Sequence, residues 1–184
     1  MQLLISLSTI GKLSKGFFMK FKRIIIHWTA GKLTPNSIDL SHYHFLIPEN
    51  SSVICGKFKP EDNFICKPNS YAAHTGGGNT ASIGVALCGM LGFSSKSSAG
   101  NYLINYSQCI SLFKLIATLS KKYNIPITPS SVLTHYEFGV KYPNSSSAGK
   151  IDIVFLPPFP HLAPDQIGDF IRAKPIEQLR FVND

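Results

Sequence analysis

Cysteine is scarce and unpatterned in this chain. Four residues in 184 (Cys55, Cys66, Cys88 and Cys109) show no CxxC spacing, so neither a zinc ribbon nor a dithiol redox motif is encoded. A chain of this length does not need disulfides to fold. Cys88 lies in the apolar run Ile83–Cys88 and Cys109 in a helix-like stretch, and both read as buried free thiols. Acidic residues are also few, ten against eighteen lysines and arginines, giving a net charge of +8 and a pI near 9.4. That balance favours polyanions such as nucleic acid, an anionic membrane or an acidic cell wall. The basic residues are scattered, with Lys22-Arg23 and Lys121-Lys122 the adjacent pairs, and no aromatic-interleaved basic stripe exists, so no nucleic-acid partner is expected. No apolar run is long enough for a transmembrane segment. Met1–Ile10 is apolar, but no positive charge precedes it and no small-residue cleavage site follows. The glycine triplet Gly76-Gly77-Gly78 lacks the Lys-Ser/Thr of a phosphate-binding loop. Internal repeats and low-complexity blocks are absent.

What is present is a core-forming chain, 44% apolar, of a length suited to one domain. Met19-Lys20-Phe21-Lys22-Arg23 followed by an apolar run resembles a natural protein start. Residues 1–18 are therefore expected to be an N-terminal extension outside the core, and 19–184 the functional domain. Phe21–His27 reads as a buried strand. Thr29–Leu40 is turn-rich, with room for one short helix. Tyr43–Pro48 and Val53–Cys55, joined by the turn Glu49–Ser52, predict a hairpin. Lys57–Asn69, carrying Pro60 and Pro68, reads as loop, Ser82–Cys88 as a strand, and Gly89–Gly100 as loop. Tyr102–Tyr123 has apolar residues at helical spacing, including Leu103, Tyr106, Ile110 and Phe113, with Lys121 and Lys122 in the last turn. Ser131–His135 predicts another strand, and Asp165–Lys174 a short helix stopped by Pro175. The pattern is α/β without strict alternation: a single domain with a central mixed sheet flanked by helices.

Chemistry concentrates in three phrases: Ile24-Ile25-Ile26-His27-Trp28-Thr29, Leu133-Thr134-His135-Tyr136 and Gly149-Lys150-Ile151-Asp152. The first two deliver a histidine at or near the end of a buried strand, and the third offers a carboxylate two residues after a lysine. Alone, each histidine is more often a satisfied core residue, and the aspartate a loop carboxylate or cap. Together, two imidazoles and a carboxylate on rigid elements form a ligand set for a catalytic zinc with one position open to water. His44, adjacent to Tyr43, points to the other face of its strand and is expected to pack. Glu137 reads as a solvated carboxylate.

Several separated phrases extend this pattern: IIIHWT at 24–29, YHFLI at 43–47, AHTGGGNTASI at 73–83, and His135 with Lys150-x-Asp152. In order and distance they resemble the zinc-dependent N-acetylmuramoyl-L-alanine amidases of the amidase type 2 class, which also includes phage lysozymes that are amidases and the peptidoglycan recognition proteins. The resemblance covers about residues 21–175. The phrases Gly56–Pro60 and Ser147–Ile153 look most like prophage-encoded members of Gram-negative bacteria. The resemblance implies that His27, His135 and Asp152 bind Zn²⁺, that Tyr43 faces the metal, and that Lys150 stabilises the transition state. It implies substrate contacts for His74 and Asn79, with Trp28 and Thr29 lining the site floor. Muropeptide-recycling members place a glutamate where this chain has Ala86, so the chain follows the tyrosine variant.

The activity so implied is hydrolysis of the amide joining N-acetylmuramic acid to L-alanine in peptidoglycan, by a phage or prophage endolysin. It would be a monomer held in the cytoplasm until release to the periplasm and cell wall. A non-catalytic peptidoglycan-binding module and a cytoplasmic recycling amidase are the competing readings.

Overall fold

The computed structural model describes residues 19–180, with side chains to 177. The expected extension, residues 1–18, lies outside the described residues. Five strands form one sheet in the order β3-β2-β4-β1-β5. They are β1 (Arg23–Trp28), β2 (Phe45–Ile47), β3 (Ile54–Cys55), β4 (Ser82–Leu87) and β5 (Val132–Thr134). The pairs β2·β4, β4·β1 and β1·β5 are parallel, and β3 closes one edge as the antiparallel arm of the hairpin. Among the described residues four α-helices accompany them, α1 (Ser37–His42), α2 (Tyr106–Tyr123), α3 (His135–Lys141) and α4 (Pro164–Arg180), with a short 3-10 helix at Pro60–Phe64 inside the stretch read as loop. The central mixed sheet with flanking helices is as expected.

The two central strands read as continuous apolar runs because both of their faces are covered. Strand geometry alternates side chains between the faces. Ile24, Ile26 and Trp28, with Ile83, Val85 and Leu87, enter a core completed by Cys109, Leu112, Phe113 and Ile116 of α2 and Ile167 and Ile171 of α4. Ile25, His27, Leu46, Gly84 and Ala86 belong to the opposite face, where the register sets His27 beside Ala86. Each apolar side chain fully buried this way contributes roughly 1.5–3 kcal/mol. One face of the sheet therefore supplies stability, and the other is left for chemistry.

Element boundaries depart from the sequence reading for local reasons. The long helix begins at Tyr106, because Asn105 caps it: its side chain accepts from Gln108 N–H, and the Gln108 side chain accepts from Asn105 N–H. Leu103 and Tyr106 are consequently exposed, not part of the core. Gln108 also donates to the carbonyls of Ile47 and Cys88, tying α2 to the ends of β2 and β4. Tyr43 is the C-cap of α1 and precedes β2. Strand β5 stops at Thr134, which caps a helix that the sequence reading did not include. Helix α4 continues through Pro175. Proline costs a helix about 3 kcal/mol by losing one hydrogen bond and crowding the preceding turn. Here Pro175 is itself buried, and Ile167 and Ile171 anchor the helix to the core.

Glu137 is not solvated. It pairs with Arg172 through both oxygens, at 2.8 and 3.0 Å, and also accepts from Thr134 N–H. Arg172 additionally donates to the Val132 carbonyl, so this ion pair joins α4, α3 and β5. Cys88 and Cys109 are buried free thiols, and no disulfide occurs among the described residues. Burial raises both thiols to about 12. Among the described residues no helix is long and apolar enough to cross a membrane.

Candidate metal centre

His27 is carried by a central strand with its ring on the face of the sheet opposite the α2–α4 core, and is wholly buried. His135 stands one strand away as the first residue of α3. Its place follows from the reciprocal cap at the end of β5, in which Thr134 Oγ1 accepts from Glu137 N–H while Glu137 accepts from Thr134 N–H. Asp152 arrives from the following loop. That loop is pinned by a hydrogen bond from Tyr136 N–H to the Asp152 carbonyl, 2.6 Å, and by the buried side chains of Ile153 and Leu156.

The three side chains meet. Asp152 Oδ2 lies 2.8 Å from His27 Nδ1 and 3.0 Å from His135 Nδ1, and the three candidate ligand atoms all fall within 4.8 Å of one another. The imidazole rings sit edge to face with centroids 4.6 Å apart. Burial lowers the His27 pKa to about 4 despite the opposing pull of Asp152, so the ring is neutral at pH 7. Burial acts to raise Asp152, but its hydrogen bonds with His135 and His27 outweigh this and hold it at about 2. A neutral imidazole and an ionised carboxylate are the protonation states that a divalent ion requires of its donors.

The outer ring nitrogens are engaged as well. His135 Nε2 is 2.9 Å from Ser147 Oγ, and that hydroxyl donates to the Gly76 carbonyl at 2.8 Å. His27 Nε2 is 3.3 Å from both Thr75 Oγ1 and His74 Nδ1, which are themselves 2.8 Å apart. The donor set thus fits a metal in residue type, in charge and in the groups that orient it. These residues could hold one ion, and two of them, His135 and Asp152, line a cavity of about 470 Å³.

Tyr43, Lys150, Trp28 and Thr29 line this cavity together with His74, His135 and Asp152. The Tyr43 ring is 5.1 Å from that of His27, centroid to centroid. Burial and then the nearby Asp152 charge raise its phenol above the ordinary tyrosine range, so it is protonated at neutral pH and serves as a donor. Lys150 is exposed at the rim. Trp28 packs against Phe93 beneath it, and Thr29 Oγ1 accepts from the backbone N–H groups of Gly31 and Gly89. His74 is buried beside His27, its ring pressed onto Gly84: a Cβ there would fall 2.5 Å from the ring. His44 packs on the far side of His74, accepting from Gly84 N–H and donating to Asn63 Oδ1. Asn79 does not line the cavity. Its side-chain oxygen accepts from Thr75 N–H, which closes the glycine loop on itself. Thr75 and Ser147 lie within the phrases 73–83 and 147–153 but were not singled out individually from the sequence.

The family model described as N-acetylmuramoyl-L-alanine amidase matches residues 18–151. No curated protein sequence matches the chain significantly. Among solved structures, the hydrolase AmiA of Staphylococcus aureus superposes with a TM-score of 0.51 at 15% identity, over 87% of this chain and 75% of that one. This likeness shows the fold. The amidase LysC from Clostridium intestinale is 18% identical over 69% of this chain and 76% of its own, with a TM-score of 0.45. Drosophila peptidoglycan recognition protein SD is 18% identical over 68% and 74%, with a TM-score of 0.43.

Proposed function

Because the chain belongs to the N-acetylmuramoyl-L-alanine amidase family, we propose that it is a zinc enzyme of the endolysin type. It cleaves the amide between the lactyl group of N-acetylmuramic acid and L-alanine in intact peptidoglycan. The observation that carries this reading is the meeting of His27 Nδ1, His135 Nδ1 and Asp152 Oδ2 beside an open cavity. A non-catalytic binder has no need of a complete ligand set. A recycling amidase would carry a glutamate at the position of Ala86, which lies beside His27 in the sheet.

His27, His135 and Asp152 hold the ion, and Zn²⁺ bound there supplies Lewis acidity towards the scissile carbonyl and towards water. The chain's own groups do the rest. Lys150, at the rim, sets a positive charge where negative charge develops on the carbonyl oxygen. Tyr43, protonated and close to His27, donates a hydrogen bond to the same oxygen or orients the attacking water. Glu137 takes no part, since Arg172 and Thr134 occupy its oxygens. The net charge of +8 supports attraction to anionic wall components.

The test is mass spectrometry of purified sacculi after digestion. A free lactyl carboxylate with newly exposed L-alanine amines, lost on chelation and restored by zinc, is the expected result. Any other cleaved bond refutes the assignment. Activity confined to soluble muropeptide fragments refutes the endolysin role and favours recycling.

A further inference from the structure

The loop 74–79 and the serine-rich turn 145–147 are pressed together more tightly than any side chain would allow. A Cβ on Gly76 would fall 1.9 Å from Ser146 Oγ, and one on Gly77, whose φ is +75°, would fall 3.0 Å from Ser145 Cβ. Gly76 and Gly77 therefore allow the close approach of the serine turn, and Gly78 that of the Phe138 ring. The closeness has a chemical result. The Gly76 carbonyl can only accept, so the single proton of Ser147 Oγ goes to it, and the oxygen of Ser147 is left to accept from His135 Nε2–H. With an ion bound, His135 would carry its proton on Nε2 and give its Nδ1 lone pair to the ion, in place of the 3.0 Å hydrogen bond that Nδ1 otherwise makes to Asp152.

The same arrangement serves His27 on the other arm of the loop. The partners within reach of its Nε2 are Thr75 Oγ1 and His74 Nδ1. An ion held at Nδ1 leaves the proton of His27 on Nε2, and Thr75 Oγ1, itself 2.8 Å from His74 Nδ1, then accepts it. Asn79 fixes the height of Thr75 by accepting its N–H at 2.8 Å.

We infer that Thr75 and Ser147 are positioning residues of the metal centre, whose hydroxyls keep the protons of both histidines on Nε2 and so present two Nδ1 lone pairs to the ion. The inference deepens the zinc reading of the site and rests on it. Groups that orient metal-ligating histidines in this way are commonly worth about 10- to 100-fold in metal affinity.

The experiment compares zinc affinity of the full chain, stripped of metal and titrated against a chromophoric chelator, in the parent, Thr75→Val and Ser147→Ala. Affinity is expected to fall about 10- to 100-fold in each, and the conservative Thr75→Ser and Ser147→Thr to recover most of it. In the zinc-loaded protein, proton–nitrogen NMR is expected to show two slowly exchanging Nε2–H protons. Thr75→Val should lose that of His27 alone, and Ser147→Ala that of His135 alone. A purely structural role would instead lower the melting temperature and weaken both signals together. Folded Thr75→Val and Ser147→Ala proteins with parental zinc affinity, or with both Nε2–H protons intact, overturn the inference while leaving the zinc site standing. A parent chain that takes up no zinc overturns the site itself.

Discussion

Acid should weaken this protein, in its metal-free form, well above the pH at which carboxylates titrate. His27 and His44 are both buried and neutral, and burial is the chief cause that lowers each pKa from 6.5 to about 4. His74, between them, is displaced the same way by burial. In the unfolded chain each regains its ordinary value. Between pH 6.5 and 4 the unfolded state therefore binds more protons than the folded one, and stability falls as pH falls through that window. At pH 7.5 the contribution is fully present. Integrating the linkage for a group moving from 6.5 to 4 gives a loss of about 2 kcal/mol at pH 5 and about 3 kcal/mol at pH 4. His27 and His44 together thus cost about 4 kcal/mol at pH 5, and His74 adds to this. Asp152, held at about 2, contributes almost nothing above pH 5, because its loss begins only as pH falls through the ordinary carboxylate range. Urea unfolding with a chelator present, at pH 7.5 and pH 5, measures the difference directly. His44→Gln keeps an acceptor and a donor but cannot titrate, so it should remove about 2 kcal/mol of the pH-dependent part. Stability that stays level from pH 7.5 to pH 5, or rises, would refute the reasoning.

Three other outcomes follow from contacts already described. Gly84→Ala would drive a methyl into the His74 ring and should destabilise the fold by about 1–3 kcal/mol while weakening zinc binding, read by denaturant titration and chelator competition. Breaking the Glu137–Arg172 pair with Glu137→Gln should cost up to about 3 kcal/mol, because the buried guanidinium loses the more buried of its two counter-charges and keeps only the exposed Asp169, whereas the double variant Glu137→Gln/Arg172→Met should regain part of that loss. Tyr43→Phe and Lys150→Ala should each leave the melting temperature nearly unchanged and lower the rate of sacculus hydrolysis by about 10²–10³-fold; parental rates in either variant would remove that residue from the proposed chemistry.

The parts of this molecule that were legible in the sequence are those whose signal is local and periodic. The run Ile24–Ile26 and the run Ile83–Leu87 announce central strands, because a strand covered on both faces must be apolar throughout. The helix over 106–123 shows its 3.6-residue spacing, and its true start was also written locally, in Asn105 with Gln108 three residues on. The cap Thr134-x-x-Glu137 carries the same signature for α3, which a strand reading of Ser131–His135 passed over. Pro175 misled in the other direction: a breaker is overridden where packing of the surrounding turns offsets its cost.

The residue types His27, His135 and Asp152 pointed by themselves only to a candidate zinc-hydrolase site; the phrases around them carried the resemblance to the amidases, and the periodicity of the chain an α/β frame. Three-dimensional structure alone decided how those groups are used. Nothing local says that Nδ1 is the nitrogen turned inward on both rings, that Glu137 is consumed by Arg172, or that Asn79 serves its own loop and not the cavity. Each of these depends on a partner far away in the chain: Asp152 is 125 residues from His27 and Ser147 is 71 from Gly76. Chain chemistry sets what each side chain can donate or accept. Which of those options is taken depends on the nearest partner, and proximity across such distances exists only once the sheet and its two loops have closed.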